Sequence, residues 1–294
     1  MKTISFLGLG VMGGNMARHL AMASSQHGVS DLVVFNRTTS VAKKWLAGLE
    51  TSNLSIRSSD DIKGAVESAD MVFACLGNDA SVRAVADEAF SVMKAGAIFI
   101  DHTTASASLA RALYKDALAK NIHFLDAPIS GGEAGAAKGI LSIMVGGDKA
   151  IFAKAKPLLT CYGKTIEWIG ESGSGQLTKM MNQIAIAGLL QALSEAIYFG
   201  EQAGIDMQKA LQVVSNGGAQ SWQIEHRGTT MAAREFDFGF QIKWMVKDLL
   251  ICLDEAKKLN IQLPITEQVE KFYEELQNSG SEKLDTSALI KRLG

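Results

Sequence analysis

One ammonium and two carboxamides open the most unusual segment of this chain. Lys179, Asn182 and Gln183 stand at spacings of three and four, just after the glycines at 173 and 175. On a helix that spacing puts all three on one stripe of the first two turns. The run onward to Gly204 has no proline and almost no charge. Ile184, Ile186, Leu189, Leu190, Leu193 and Ile197 cover more than one of its faces, which predicts a helix buried nearly all round. An unpaired ammonium in a low dielectric is costly. A lysine at the head of such a helix therefore either snorkels to water or is held there at an unusual cost that some function must explain.

A second set of residues points to a phosphate ligand. Gly8, Gly10 and Gly13 carry the G-x-G-x-x-G spacing between an apolar run and a helix-period pattern. In that context the first glycine allows the turn, the second admits a pyrophosphate and the third lets helix pack on strand. The amides of this turn, which includes Leu9, Val11 and Met12, would hold the phosphates; the alternative is a structural glycine turn. After the next apolar run comes Asn36-Arg37-Thr38 instead of an acidic residue. An acid there binds the ribose hydroxyls of NAD, whereas an amide, an arginine and a hydroxyl suit a 2′-phosphate. A charge-assisted bond of this kind contributes on the order of 1.5–3 kcal/mol, so NADP is the expected cofactor, with NAD possible and a solvent-exposed arginine as the bland alternative.

The elements that would position these residues alternate. Apolar runs at 31–35, 56 onward, 70–76, 97–101 and 122–125 are separated by helix patterns near 60–68, 79–94 and 106–120. This is the βαβ rhythm of a mostly parallel sheet. The runs end at Leu76-Gly77-Asn78 and Asp101-His102-Thr103-Thr104, at the strand ends where open α/β sheets bind ligands. The stretch from Asp126 to Ala136 is glycine-dense, either a connector or a nest in which Ser130 and the amides of Gly131 and Gly132 hold an anionic oxygen. A strand at 141–145, a helix near 149–160 and a strand at 165–169 complete an α/β Rossmann domain, residues 1–169. Residues 170–294 read as all-helical, with helices near 206–216, 222–234, 241–259, 264–278 and 285–292, and the long helix joins the two domains. Lys247-Asp248 in the third of these is an ion pair that exposed helix faces commonly carry.

Composition excludes several other classes. The 294 residues are 47% hydrophobic and 20% charged with a net charge of −2, and no basic cluster points to nucleic acid or a membrane surface. Cys75, Cys161 and Cys252 are isolated, which argues against disulfides and a metal site and for a reducing, cytoplasmic setting. Gln191, Ser194 and Glu195 interrupt the one apolar run of membrane-spanning length, and the N-terminus does not read as a signal peptide.

Taken together the motifs resemble the NAD(P)-dependent β-hydroxyacid dehydrogenase family, which includes 3-hydroxyisobutyrate dehydrogenase, tartronate semialdehyde reductase and the glyoxylate/succinic semialdehyde reductases. The resemblance runs through Gly8 to Gly13, Asp101-His-Thr-Thr104, Asp126 to Gly132, Gly173 to Lys179 and Lys247-Asp248. It implies Lys179 as catalytic acid/base and Ser130, Gly131 and Gly132 on the substrate carboxylate. It implies Asn182, Gln183, Phe240 and Asp248 on the substrate side, and Leu76, Gly77, Ser81, Thr104 and Lys247 on the cofactor side. The family's second amide is usually asparagine; Gln183 is one methylene longer. His102 replaces a small or apolar residue and is expected to be structural.

The implied reaction is reversible hydride transfer between NADPH and a short carbonyl acid, with Lys179 passing the proton. A free lysine near 10.4 is a poor catalyst at neutral pH, and burial beside Lys247 is expected to lower it. A phosphogluconate-type oxidative decarboxylase would usually have a much longer C-terminal region. An imine reductase usually lacks the lysine, and a non-catalytic NADPH-binding regulator would not need Lys179, Ser130 and Asn182 together. Apolar residues in the helical half, among them Trp222, Met231, Phe236, Phe238 and Trp244, suggest a homodimer or homotetramer.

Overall fold

The strand ends hold the site, so the sheet comes first. The computed structural model describes residues 2–49 and 53–294. Among them nine strands form one sheet: β1 (Lys2–Leu7), β2 (Val29–Phe35), β3 (Ser55–Ser58), β4 (Met71–Ala74), β5 (Ile98–Asp101), β6 (His123–Asp126), β7 (Ile129–Ser130), β8 (Leu141–Gly147) and β9 (Gly163–Gly170). The order is 3-2-1-4-5-6-8-7, with β9 also on β8. From β3 to β6 every pairing is parallel; β8 runs antiparallel to β6 and β7, and β9 parallel to β8. Strand order reverses between β1 and β4, the switch point at which doubly wound sheets bind ligands.

The helices of this half are α1 (Val11–Ala23), α2 (Thr39–Ala47), α3 (Ile62–Val66), α4 (Asp79–Phe90), α5 (Ala107–Leu118), α6 (Gly132–Lys138) and α7 (Lys149–Leu159). They cover both faces, so successive strand residues feed two separate cores. Ile4, Phe6, Phe73 and Ile100 pack with Met16 and Leu20 of α1; Leu7, Val72 and Phe99 pack with Val82 of α4 and Leu113 of α5. That is the period-two pattern of a sheet buried on both sides.

The second half begins on the long helix α8 (Ser174–Gln202) and continues with α9 (Met207–Val214), α10 (Trp222–Ala232), α11 (Ile242–Lys258) and α12 (Pro264–Leu276). Its core joins Leu190 and Ile197 of α8 to Met231, Met245, Leu249 and Tyr273. The chain forms two compact units, residues 1–179 and 180–294. The sequence-derived boundary at 169/170 falls at the end of β9; the units divide later, inside α8.

Three local expectations change. The glycine-dense stretch after Asp126 is not all loop: it forms β7 and then α6, which ends on Gly139 in the left-handed region. Glu133 in its first turn and Lys138 in its last match the helix dipole. The last segment is a 3-10 helix, Thr286–Arg292, because the Asp285 carboxylate takes hydrogen bonds from the Ser287 amide and hydroxyl and tightens its first turn. Nor is α8 buried all round: Met181, Leu189 and Phe199 are exposed, and small residues and Gln191 fill much of the inward face.

Candidate active site

At the end of β1 the three glycines do different steric work. A Cβ on Gly13 would lie 2.0 Å from the Gly8 carbonyl oxygen, and one on Gly8 would lie 2.3 Å from the Cys75 carbonyl oxygen. The start of α1 therefore sits closer to the turn after β1, and that turn closer to the end of β4, than any side chain allows. A Cβ on Gly10 would meet nothing within 4 Å, so the turn is open on the side where a pyrophosphate would approach. Leu9 is buried, its amide donating to Asn36 Oδ1 at 3.0 Å, while Asn36 Nδ2 donates to the Thr38 carbonyl at 3.1 Å. The Asn36 carboxamide thus ties the glycine turn to the end of β2. Val11 is exposed, Met12 half-buried, and Arg37 points outward with no polar partner among the described residues. These residues fit a dinucleotide: an open turn at a helix start and a cation beyond the second strand.

Across the switch point, the Leu76 amide donates to Thr103 Oγ1 at 2.8 Å, so the loops after β4 and β5 are pinned together beside Gly77 and Thr104. The Ser81 hydroxyl is engaged in the capping box of α4 with Asn78. Ser130 ends β7, and Gly131 (φ +132°) and Gly132 (φ +62°) turn the chain into α6. That helix is held on α1 by His19 Nε2, 3.0 and 3.1 Å from the Ala136 and Ala137 carbonyl oxygens.

Asp126, at the end of β6, organises the start of α8. Its Oδ1 accepts from the Gly173 amide at 2.8 Å and its Oδ2 from the Gln176 amide at 3.0 Å, which caps two of the helix's orphan donors. A Cβ on Gly175 would lie 2.7 Å from the Asp126 carbonyl oxygen and 2.4 Å from that of Met144. Only glycine lets the helix come this close to the sheet. Lys179 follows one turn later and is 8% exposed.

In the second unit Asn182, Gln183, Lys247 and Asp248 form one cluster. Asn182 Nδ2 donates to Gln183 Oε1 and Gln183 Nε2 donates to Asp248 Oδ2, both at 2.7 Å. Lys247 Nζ lies 3.0 Å from Asp248 Oδ1, an ion pair without hydrogen-bond alignment. The Gln183 carboxamide is thus engaged at both ends. Phe240 is not in this cluster; its amide donates to Asp285 Oδ2, which also faces Arg227.

His102 is structural. Its Nδ1 lies 2.6 Å from the Ala127 carbonyl, which can only accept, so Nδ1 carries the proton and Nε2 accepts from the Tyr162 hydroxyl at 2.8 Å. Burial pushes His102 down to about 4 and the neighbouring Asp101 carboxyl up to about 7. Asp126, beside Asp101 in the sheet, is likewise raised by burial, against the hydrogen bonds from Gly173 and Gln176.

Comparison with known proteins places this geometry. Residues 3–170 match the NAD binding domain of 6-phosphogluconate dehydrogenase, and residues 173–293 the NAD-binding domain of NADP-dependent 3-hydroxyisobutyrate dehydrogenase. The chain belongs to the 3-hydroxyisobutyrate dehydrogenase family. It is therefore an NAD(P)-dependent hydroxyacid dehydrogenase. An uncharacterized oxidoreductase of Shewanella frigidimarina is 45% identical, covering 100% of this chain and 98% of that one. The 2-hydroxy-3-oxopropionate reductase of Escherichia coli is 34% identical over 99% and 96%. A solved 3-hydroxyisobutyrate dehydrogenase of Mycobacterium tuberculosis with L-serine superposes with a TM-score of 0.87 at 28% identity, covering 100% and 99%.

Within this family architecture, part of the sequence-derived set gathers in three places: the glycine turn with Asn36, the pinned loops at Leu76 and Thr104, and the amide–carboxylate cluster around Gln183. Ser130 to Gly132 lie at the β7–α6 turn and Lys179 on α8, and Phe240 bonds to Asp285 instead. Sequence reasoning missed Thr103, Gln176 and the capping role of Asp126. Their signal is faint, because each acts through main-chain groups far away in sequence, which no local spacing encodes.

Proposed function

We propose that this dehydrogenase transfers a hydride reversibly between NADP(H) and a short aldehyde carrying a carboxylate. The reduced product is a short hydroxyacid, a β-hydroxyacid where the aldehyde carbon is bonded to the carbon that bears the carboxylate. The observation that carries the reading is Lys179: a lysine only 8% exposed on a helix start anchored to the strand-end loop that holds Thr104. Lys179 gives its proton to the carbonyl oxygen as it becomes an alkoxide, and withdraws it from the hydroxyl in the reverse direction. The Ser130 hydroxyl and the amides of Gly131 and Gly132 take the substrate carboxylate. When bound, the nicotinamide supplies or accepts the hydride. Thr104, Leu76, Gly77, Ser81 and Lys247 are assigned to the cofactor by family resemblance, and Asn182, Gln183, Phe240 and Asp248 to the substrate. With both ends of its carboxamide engaged, Gln183 acts by holding Asn182 and Asp248 in place.

The relatives' names support short acids of the 3-hydroxyisobutyrate and 2-hydroxy-3-oxopropionate (tartronate semialdehyde) kind; glyoxylate and succinic semialdehyde rest on the family resemblance alone. NADP is supported by the outward Arg37 and by the NADP-dependent description of the C-terminal match. Three cysteines well separated in the sequence fit a cytoplasmic protein, and among the described residues no helix is long and apolar enough to cross a membrane. Lys179→Ala should lose on the order of 10²–10⁴ in kcat while NADPH affinity stays unchanged. NADPH absorbance with a panel of these aldehydes measures the first and fluorescence titration the second. Wild-type turnover in that variant would overturn the reading and leave a nucleotide-binding regulator.

A further inference from the structure

We propose that Gln176 is a positioning residue for hydride transfer: its carboxamide locks the helix start that bears Lys179 to the loop that bears Thr104. The inference rests on Lys179 being the acid/base. Gln176 is 1% exposed. Its Nε2 donates to the Thr103 carbonyl at 2.8 Å, and its Oε1 accepts from the Ala105 amide at 3.0 Å. One side chain thus grips the main chain on both sides of Thr104. Its own amide is held by Asp126 Oδ2, and Thr103 Oγ1 in turn holds the Leu76 amide. The loops after β4 and β5, the end of β6 and the first turn of α8 all converge on this residue.

Burying a carboxamide with both ends bonded contributes little net stability, since each bond replaces one to water. A leucine or methionine would fill the same space but leave the buried Ala105 amide and Thr103 carbonyl without partners. What the carboxamide adds is direction. Three residues on, at helical spacing, stands Lys179. Any slip of α8 relative to the Thr104 loop moves the ammonium relative to the residue assigned to the nicotinamide, and a misplacement of about 1 Å can cost on the order of 10²-fold in rate.

The test uses the full chain with Gln176→Leu and Gln176→Glu, assayed with NADPH and glyoxylate, tartronate semialdehyde or succinic semialdehyde. In the leucine variant the Ala105 amide should lose protection from hydrogen exchange, and NADPH affinity should stay within about twofold, because the glycine turn is untouched. Turnover should fall about 10- to 100-fold, with a larger primary isotope effect from nicotinamide-deuterated NADPH. The glutamate keeps the acceptor for Ala105 but turns a carboxylate toward the Thr103 carbonyl, beside the buried carboxyls of Asp126 and Asp101. Protonation restores the donor, so its deficit relative to wild type should narrow as pH is lowered. Because this variant is isosteric, it decides the matter if the leucine variant does not fold. Wild-type turnover and isotope effect with only a lowered Tm would reduce Gln176 to packing and overturn the proposal. If Lys179→Ala is inactive while both Gln176 variants are normal, the lock alone has failed. If Lys179→Ala is itself active, the parent reading has failed.

Discussion

His102 and Asp101 are chain neighbours that the same burial drives in opposite directions. From about pH 4 to about 7 the folded chain keeps a proton on Asp101 that the unfolded chain has released, so this group's contribution to stability falls as pH rises. His102 stays neutral when folded but takes a proton when unfolded below about 6.5, so its contribution rises with pH across about 4 to 6.5. From about pH 6 to about pH 8 the aspartate removes about 1 kcal/mol and the histidine returns somewhat less. Asp101→Asn should therefore make the fall in stability across that range shallower, read by urea denaturation at its two ends, with Asp126, also raised by burial, left to contribute in the same direction as Asp101 did. Arg37 makes a separate prediction. It is exposed, and no polar group among the described residues bonds to it. Arg37→Ala should weaken NADPH about ten- to a hundred-fold and leave both NADH binding and Tm unchanged; an equal loss for the two nucleotides would mean that the arginine does not read the 2′-phosphate.

Elements explain why single glycines matter here. On Gly13 a methyl would sit 2.0 Å from a main-chain oxygen, which no rotamer relieves, so α1 must move off the turn after β1. Gly13→Ala should cost about 1–3 kcal/mol of stability and weaken NADPH binding at least as much as Arg37→Ala, measured by denaturation and fluorescence titration. This turn was legible in the sequence because its cause is local: strand, glycines and helix follow one another within a few residues. The start of α8 was legible only in part. The glycines and Lys179 stand out as a pattern, but the reason for Gly175 is the approach of Asp126 and Met144, and the reason for Gln176 is the main chain at 103–105. The helix after Gly131 escaped reading because its glycines and alanines carry no periodicity.

For the molecule as a whole, each unit has its own core, and an apolar strip is left over. Met181, Leu189 and Phe199 lie exposed along α8, Phe199 at 71%. Exposed apolar residues along one helix fit the subunit packing expected from the sequence. Phe199→Glu with Leu189→Glu should shift the protein to a smaller species in sizing with light scattering. An unchanged mass would put the interface elsewhere.

The alternation of apolar runs, the glycine spacing and the change from mixed to helical patterning set the family, the two-part architecture and the dinucleotide turn, because each is a short-range matter of periodicity or sterics. The antiparallel return of β8, the capping of α8 by Asp126, the grip of Gln176 around Thr104 and the engagement of Gln183 by Asp248 arose only in three dimensions. Each of these depends on partners some 20 to 70 positions apart along the chain. Hydrogen bonds between side chains and remote main chain leave no periodic trace, and folding alone decides which of them form.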